Sequence, residues 1–283
     1  MTLSEMRKIL SEGDIQLTKS LGQNFLHDQN QLQKIVSSAE LTSSDKVLEI
    51  GPGLGPLTEL LVANAGEVLA IEKDKRLVEF LQKKFSGEKK LTLIHDDALE
   101  VLKREKRDWS GWKLVANLPY SVASPILVEL AEMPGIPEKI VTTLQIEVAQ
   151  RIVANADDDD YGILSLLMQL RYDPQGWFKI PSVCFFPEPD VDSACIVLNR
   201  RPAPLLNPEE SELFKKIVKR ALSQRRKMML KLLKQDWPKE KLASAFAALN
   251  ISVQERAEKV TLGDFVALTK ILGTGSETAG TPL

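Results

Sequence analysis

Apolar positions along the chain recur in two periods. Short runs of β-formers at 47–50, 67–71 and 113–116 are each followed by a segment in which apolar residues return every three or four positions, at 57–65, 74–85 and 125–133. A fourth run at 91–94 leads into Asp96-Asp97-Ala98-Leu99. Helical spacing also marks 29–39, through Leu32, Ile35 and Val36, and 147–154, while 140–144 reads as a strand. Residues 161–170 read as a helix, with a buried strand as the other reading. Late strands are predicted at 177–180 and 193–198, around a rigid aromatic loop, Phe185-Phe186-Pro187-Glu188-Pro189. At the start, 1–17 read as a loosely held leader with helical tendency over 4–10, and 18–26 as a polar turn anchored by Phe25 and Leu26. Strands alternating with helices predict an α/β fold with a parallel sheet and a ligand site at the strand C-termini. Gly51, Glu72, Asp97 and Asn117 all stand at strand ends, which points to one site.

The pattern changes after residue 200. The stretch 201–208 is proline-rich and reads as a domain boundary. Asn207 is placed to cap a helix whose first turn holds Pro208, Glu209 and Glu210. From there the spacing is helical throughout. Ser252 and Glu255 form a possible capping box, and Thr261 with Asp264 opens a last helix. The expected division is a domain over 1–200, a helical domain over 207–272 and a disordered tail over 273–283.

The turn after the first strand carries Gly51, Gly53 and Gly55, with Pro56 suited to the first helical position. Glycines let a ligand approach the backbone, and a helix N-terminus follows. Glu72 ends the next strand, 21 residues past Gly51, about where a Rossmann-type unit puts its ribose-binding acid. A dinucleotide fingerprint needs a third glycine at position 56, which is Pro. The spacing here, preceded by Glu49, tilts the reading from NAD to S-adenosylmethionine.

Asn117-Leu118-Pro119-Tyr120 is the sharpest motif. The exocyclic amine of adenine is a poor nucleophile, because its lone pair is spread into the ring. Two acceptors that take both N–H hydrogens recover the lone pair. The Asn117 side-chain carbonyl and the Leu118 main-chain carbonyl are suited to this, with Pro119 stiffening the turn. Tyr120 offers a face for stacking, worth roughly 1–3 kcal/mol per base. Glu72 would accept from ribose hydroxyls and Asp97 from the adenine amine of the cofactor. Phe185 is expected to close the other face of the target base, with a core aromatic as the competing reading.

Composition narrows the classes. No apolar run is long enough to span a membrane, and the N-terminus lacks a signal-peptide core. Cys184 and Cys195 are the two cysteines, which fits a reducing cytoplasm. His27 and His95 lie far apart, and no cluster with metal-ligand spacing is present, so no metal is expected. The net charge of −2 hides an asymmetry. Of 37 basic residues, nine lie within 213–234, which holds no acid, leaving 28 against 39 acidic residues elsewhere. Arg225, Arg226 and Lys227 sit in that stretch, read as one basic helix that contacts a phosphate backbone.

Taken together, eight motifs resemble a known family: Gln23-Asn24-Phe25-Leu26, Glu49-Ile50-Gly51-Pro52-Gly53-Leu54-Gly55, Asp97-Ala98-Leu99, Asn117-Leu118-Pro119-Tyr120, Gln145-x-Glu147-Val148-Ala149-x-Arg151, Tyr161-Gly162-x-Leu164-Ser165, Phe185-x-Pro187-x-Pro189-x-Val191-Asp192-Ser193-Ala194 and Gln224-Arg225-Arg226-Lys227. The chain is similar over about 18–271 to the KsgA-type ribosomal RNA small-subunit adenine N6-dimethyltransferases. The resemblance implies a Rossmann-like S-adenosylmethionine-dependent methyltransferase domain with a small all-helical C-terminal domain. It implies dimethylation at N6 of two adjacent adenosines near the 3′ end of 16S rRNA in the small (30S) subunit; a monomer is expected. It also implies cofactor contacts at Asn24, Leu26, Gly51, Glu72, Asp97 and Asn117, and Gly53 of the glycine turn is expected to join them. The pI of about 5.9 and the acidic run at 157–160 depart from the pattern and leave the RNA footprint local. Two other readings compete. One is the erythromycin-resistance methyltransferases of 23S rRNA, which share the glycine loop and tetrapeptide. The other is a non-catalytic assembly factor, which would not need Glu72, Asp97 or residues 117–120.

Overall fold

Runs of β-formers broken by amphipathic segments can bury themselves only by stacking helices on a sheet. The computed structural model describes residues 1–12, 23–105 and 107–274. The leader past residue 12, the turn at 18–22 and the tail from 275 lie outside the described residues. The chain divides into two units, Met1–Ala149 with Tyr172–Arg200, and Gln150–Arg171 with Arg201–Leu283. Residues 150–171, placed with the first domain by the sequence pattern, therefore group with the second unit.

The chain starts with α1 (Leu3–Glu12), β1 (Phe25–Leu26) and α2 (Gln29–Ala39). Strands and helices then alternate through β2 (Lys46–Ile50), α3 (Pro56–Asn64), β3 (Glu67–Glu72), α4 (Lys75–Lys84), β4 (Leu91–His95), α5 (Ala98–Glu105), β5 (Trp112–Asn117), α6 (Ala123–Glu132) and β6 (Lys139–Gln145). After α7 (Ile146–Val153) and α8 (Ile163–Arg171) come β7 (Tyr172–Ile180), β8 (Phe185–Phe186) and β9 (Ser193–Arg200). The ambiguous 161–170 segment is thus helical from Ile163 onward. The seven-stranded sheet has the order β4-β3-β2-β5-β6-β9-β7. Strands β4 to β6 are parallel, and β9 and β7 add antiparallel. The winding reverses between β2 and β5, where α/β sheets open a crevice beyond the strand C-termini. Val47, Leu61, Val68, Val115 and Val141 share one buried cluster. Asp28 and Asp74 cap α2 and α4 by accepting from the N–H groups of Gln31 and Arg76.

Two expectations change here. Residues 185–186 are not a loop; they form β8, which pairs antiparallel with β1, Leu26 opposite Phe185. Both side chains are 2% exposed and lie in the core cluster with Val36, Leu57 and Ile180. Burial of apolar area outweighs the exposure that a base-stacking ring at 185 needs.

In the second unit α8 is joined by α9 (Pro208–Ala221), α10 (Met229–Leu233), α11 (Lys239–Ala248) and α12 (Leu262–Gly273) around Phe214, Ile217, Phe246 and Phe265. The Asn207 side chain accepts from the Glu210 N–H at 2.9 Å, and the Glu210 carboxylate returns the bond to the Asn207 N–H at 2.9 Å. Thr261 and Asp264 make the same box at α12. The expected box at Ser252 and Glu255 is instead a turn, closed by Glu255 N–H on the Ser252 carbonyl at 2.9 Å. The basic stretch is also not one helix. It breaks after Ala221, where the Ser223 hydroxyl donates back to the Arg220 carbonyl at 2.8 Å. Met228 then bridges to Arg256, and the Met229 N–H reaches the Glu255 carbonyl at 2.9 Å. Arg225, Arg226 and Lys227 therefore lie in the turn between α9 and α10.

Because Phe185 fills the core, Phe185→Ala is expected to lower stability by about 3–5 kcal/mol, the usual cost of emptying a buried ring. Denaturant unfolding measures it; an unchanged midpoint would return the ring to the surface.

Candidate functional site

Loops leaving the C-terminal ends of β2, β3, β4 and β5 line one cavity, together with residues 23–25. Asn24, Gly51, Gly53, Glu72, Asp97, Asn117, Leu118, Pro119 and Tyr120 all border it. Leu26 and Phe185 do not, because their side chains are turned into the core. Gln23 and Phe25, named in the sequence only as part of a motif and a turn anchor, border it as well, as do Lys73 and Ser121, which the sequence pattern does not single out.

Two glycines let the loops close up. Gly51 has φ +72°, and a Cβ there would stand 3.2 Å from Pro119 Cγ. Gly53 has φ +61°, and a Cβ there would stand 2.7 Å from the Phe25 ring. Any larger residue would strain the backbone and push the β2 loop off the tetrapeptide or the β1 segment.

The glycine loop is tied to the next strand end by a carboxylate. Glu72 Oε2 accepts the Gly53 N–H at 3.1 Å, and Oε1 accepts the Asp74 N–H at 2.9 Å. Burial raises the Glu72 carboxyl above its usual range, against the pull of these main-chain donors. Behind the loop Glu49 is 1% exposed and accepts from Thr58 Oγ1 at 2.7 Å. Burial pushes it up to about 8; the Thr58 bond opposes the rise and the neighbouring charge of Glu72 adds to it. Asp97 has the opposite environment. Lys73 Nζ sits 2.8 Å from its Oδ2 and holds the carboxyl below the usual range, while Oδ1 accepts the Leu99 N–H at 2.9 Å.

In the tetrapeptide, Asn117 Nδ2 donates to the Asn24 main-chain carbonyl at 2.9 Å. Its Oδ1 accepts from the Thr143 hydroxyl. The Tyr120 hydroxyl shares a hydrogen bond with Ser193 Oγ, and burial holds the phenol above its usual range.

The basic turn belongs to the second unit. Arg225 is engaged internally: Nη2 donates to the Asp159 carbonyl at 2.7 Å and Nε lies 3.4 Å from Glu258. Arg226 and Lys227 are exposed, and neither makes an ion pair among the described residues. Among the described residues no group of three His, Cys, Asp or Glu side chains is placed to hold a metal ion, and no helix is long and apolar enough to cross a membrane.

A sheet of this order, with a glycine loop after β2 and Asn-Leu-Pro-Tyr after β5, defines a Rossmann-like methyltransferase. Solved structures agree on the fold. A dimethyladenosine transferase from Plasmodium falciparum superposes with a TM-score of 0.73 at 24% identity, covering 86% of this chain and 95% of that one. The 23S rRNA methyltransferase ErmE gives 0.67 at 26% identity, covering 88% and 99%. The chain belongs to the ribosomal RNA adenine dimethylase family, whose model matches residues 15–273. A relative from Ligilactobacillus salivarius, named ribosomal RNA small subunit methyltransferase A, is 39% identical over 276 residues, 94% of this chain and 93% of that one.

Glu49 makes stability depend on pH. Its proton is held more tightly in the folded chain, so the stabilisation is complete below about 4.5 and is lost as pH rises through about 8. Denaturant midpoints of the wild type should therefore fall relative to those of Glu49→Gln between about pH 5 and about pH 9. Parallel profiles would mean that the carboxyl is already ionised.

Proposed function

We propose that the protein transfers methyl groups from S-adenosylmethionine to N6 of two adjacent adenosines near the 3′ end of 16S rRNA, acting as a cytoplasmic monomer on the assembling small (30S) subunit. One observation carries this reading: the acceptors of the tetrapeptide border the same cavity as Glu72 and the glycine loop. A methyl donor and an exocyclic amine would meet there.

The residues present fit the cofactor. Gly51 and Gly53 leave out the side chains that would fill the cradle, and Glu72 is fixed by two main-chain donors with lone pairs left for ribose hydroxyls. Asp97, with Lys73 beside it, is assigned to the adenine end, and Asn24 to the wall next to Asn117. Leu26 acts from behind, by fixing the β1 segment. When bound, the cofactor supplies an electrophilic methyl group on a sulfonium centre.

The chain supplies orientation. In the first transfer the Asn117 side-chain carbonyl and the Leu118 main-chain carbonyl accept hydrogen bonds from the two N6 hydrogens, which returns the lone pair to nitrogen; in the second, one such hydrogen remains. Neutral amine attacks, so no strong general base is needed before transfer. Pro119 limits the motion of the two acceptors, and Tyr120 supplies one stacking face. Phe185 is left out of the clamp.

The second unit is assigned to RNA, through Arg226 and Lys227 with Arg225 as their internal anchor. The 23S reading is the runner-up. The small-subunit names of relatives at 35–39% identity, against 26% for ErmE, favour the first. Labelled methyl transfer to undermethylated small subunits against naked 23S rRNA decides between them. Incorporation into the 23S RNA alone would overturn the proposal.

Within this reading, Glu72→Ala should weaken S-adenosylmethionine binding by about 1.5–3 kcal/mol in calorimetric titration. Asn117→Ala should cut single-turnover rate by roughly 10²–10³ at saturating cofactor. Unaltered values would remove either residue from its role.

Neutralising Arg226 and Lys227 should weaken subunit binding and flatten its log–log salt slope by roughly 0.7–0.9 per lost phosphate contact, with cofactor affinity unchanged. Equal affinities and parallel salt slopes would mean that the turn is merely solvated.

A further inference from the structure

Behind residues 117–120 stand two hydroxyls that no step above uses. Thr143 on β6 and Ser193 on β9 are both 0% exposed. Strand register brings them there: Asn117 is opposite Thr143 across β5 and β6, and Gln145 is opposite Ser193 across β6 and β9.

Each hydroxyl meets a side chain of the tetrapeptide. Asn117 Nδ2 points at the Asn24 main-chain carbonyl, a partner that can only accept. That sets which end of the amide is which, so Oδ1 faces Thr143 and the hydroxyl must donate to it. A carbonyl oxygen has two lone pairs; Thr143 takes one and leaves one for the target amine. Ser193 holds the Tyr120 hydroxyl at the other end of the motif. The neighbouring Thr142 is equally buried, but its hydroxyl goes to the Ala116 main-chain carbonyl at 2.9 Å, an ordinary destination for a strand threonine.

We propose that Thr143 and Ser193 are positioning residues for base methylation, fixing the amine acceptor and the stacking ring before the adenosine arrives. This rests on the reading that Asn117 and Tyr120 hold the target base. The terminal torsion of an asparagine is broad, so an amide held at one end only would sample orientations that miss the amine. Tyr120 has the same freedom in its ring angle once its hydroxyl is released. Fixing both in advance lowers the ordering required when the base enters.

The test compares shape with chemistry. Thr143→Val keeps the volume and removes the hydroxyl; Thr143→Ser keeps the hydroxyl and removes a methyl. Thr142→Val serves as the control for losing a buried hydroxyl from the same strand. With undermethylated small subunits and S-adenosylmethionine, Thr143→Val should lower kcat about tenfold, the equivalent of one neutral hydrogen bond. Thr143→Ser and Thr142→Val should stay near wild type. Calorimetric cofactor affinity and the thermal midpoint should match between Thr143→Val and Thr142→Val. Ser193→Ala, Tyr120→Phe and the double variant should lose the same activity, without additivity. A wild-type kcat for Thr143→Val, an equal loss in Thr143→Ser, or additive losses at Ser193 and Tyr120 would overturn the proposal. If Asn117→Ala is itself harmless, the reading of the tetrapeptide fails instead, and that result is separate from these.

Discussion

The site depends on how closely two neighbouring strand ends can approach. The β2 loop and the β5 loop meet where Gly51 faces Pro119, at a distance that excludes even one added carbon without displacement. A left-handed φ at residue 51 turns the chain there, and the Gly51 N–H is retained by the Ile71 carbonyl at 2.9 Å. Proline makes the other wall rigid and offers no donor to compete. The glycine loop and the tetrapeptide, the proposed donor cradle and amine acceptors, are thus set against each other by backbone, not by long side chains.

Charge is handled in a compatible way. Two carboxyls lie beside or behind the glycine loop, and burial opposes ionisation of both. Glu72 stays at the cavity wall, where main-chain donors oppose the rise, whereas Glu49 lies deeper, against the Thr58 hydroxyl. A buried carboxylate is costly to ionise unless it is paired or hydrogen-bonded, and two of them stand close together here. The difference between the two acids therefore divides ligand contact from loop support.

Much of this was legible in the chain. Parallel strands, the glycine turn, Glu72, Asp97 and the tetrapeptide follow from local pattern, because each sits where a strand ends and needs no partner to be recognised. The caps at Asn207 and Thr261 were legible for the same reason. Roles set by pairing were not. Phe185 and Leu26 look like loop residues until β1 and β8 are seen to pair, which buries both. Thr143 and Ser193 carry no signal in spacing, since they meet Asn117 and Tyr120 only through contacts distant in sequence. The basic stretch has helical spacing throughout, but a serine back-bond and a bridge to Arg256 break it, and these are local and long-range effects that periodicity does not report.

The short ladder between β1 and β8 has a consequence for the order of assembly. Its two strands stand more than half of the chain apart in sequence, yet Phe25 within it and Asn24 beside it form part of the cavity wall. Contacts of such sequence separation form late, since the intervening loop must first be closed. During synthesis the β2 to β5 core can assemble as soon as it emerges, while the wall carrying Asn24 waits for residues 185–186. A growing chain would thus hold a folded sheet before it has a finished pocket, and the pocket would be completed only once residues 185–186 have emerged.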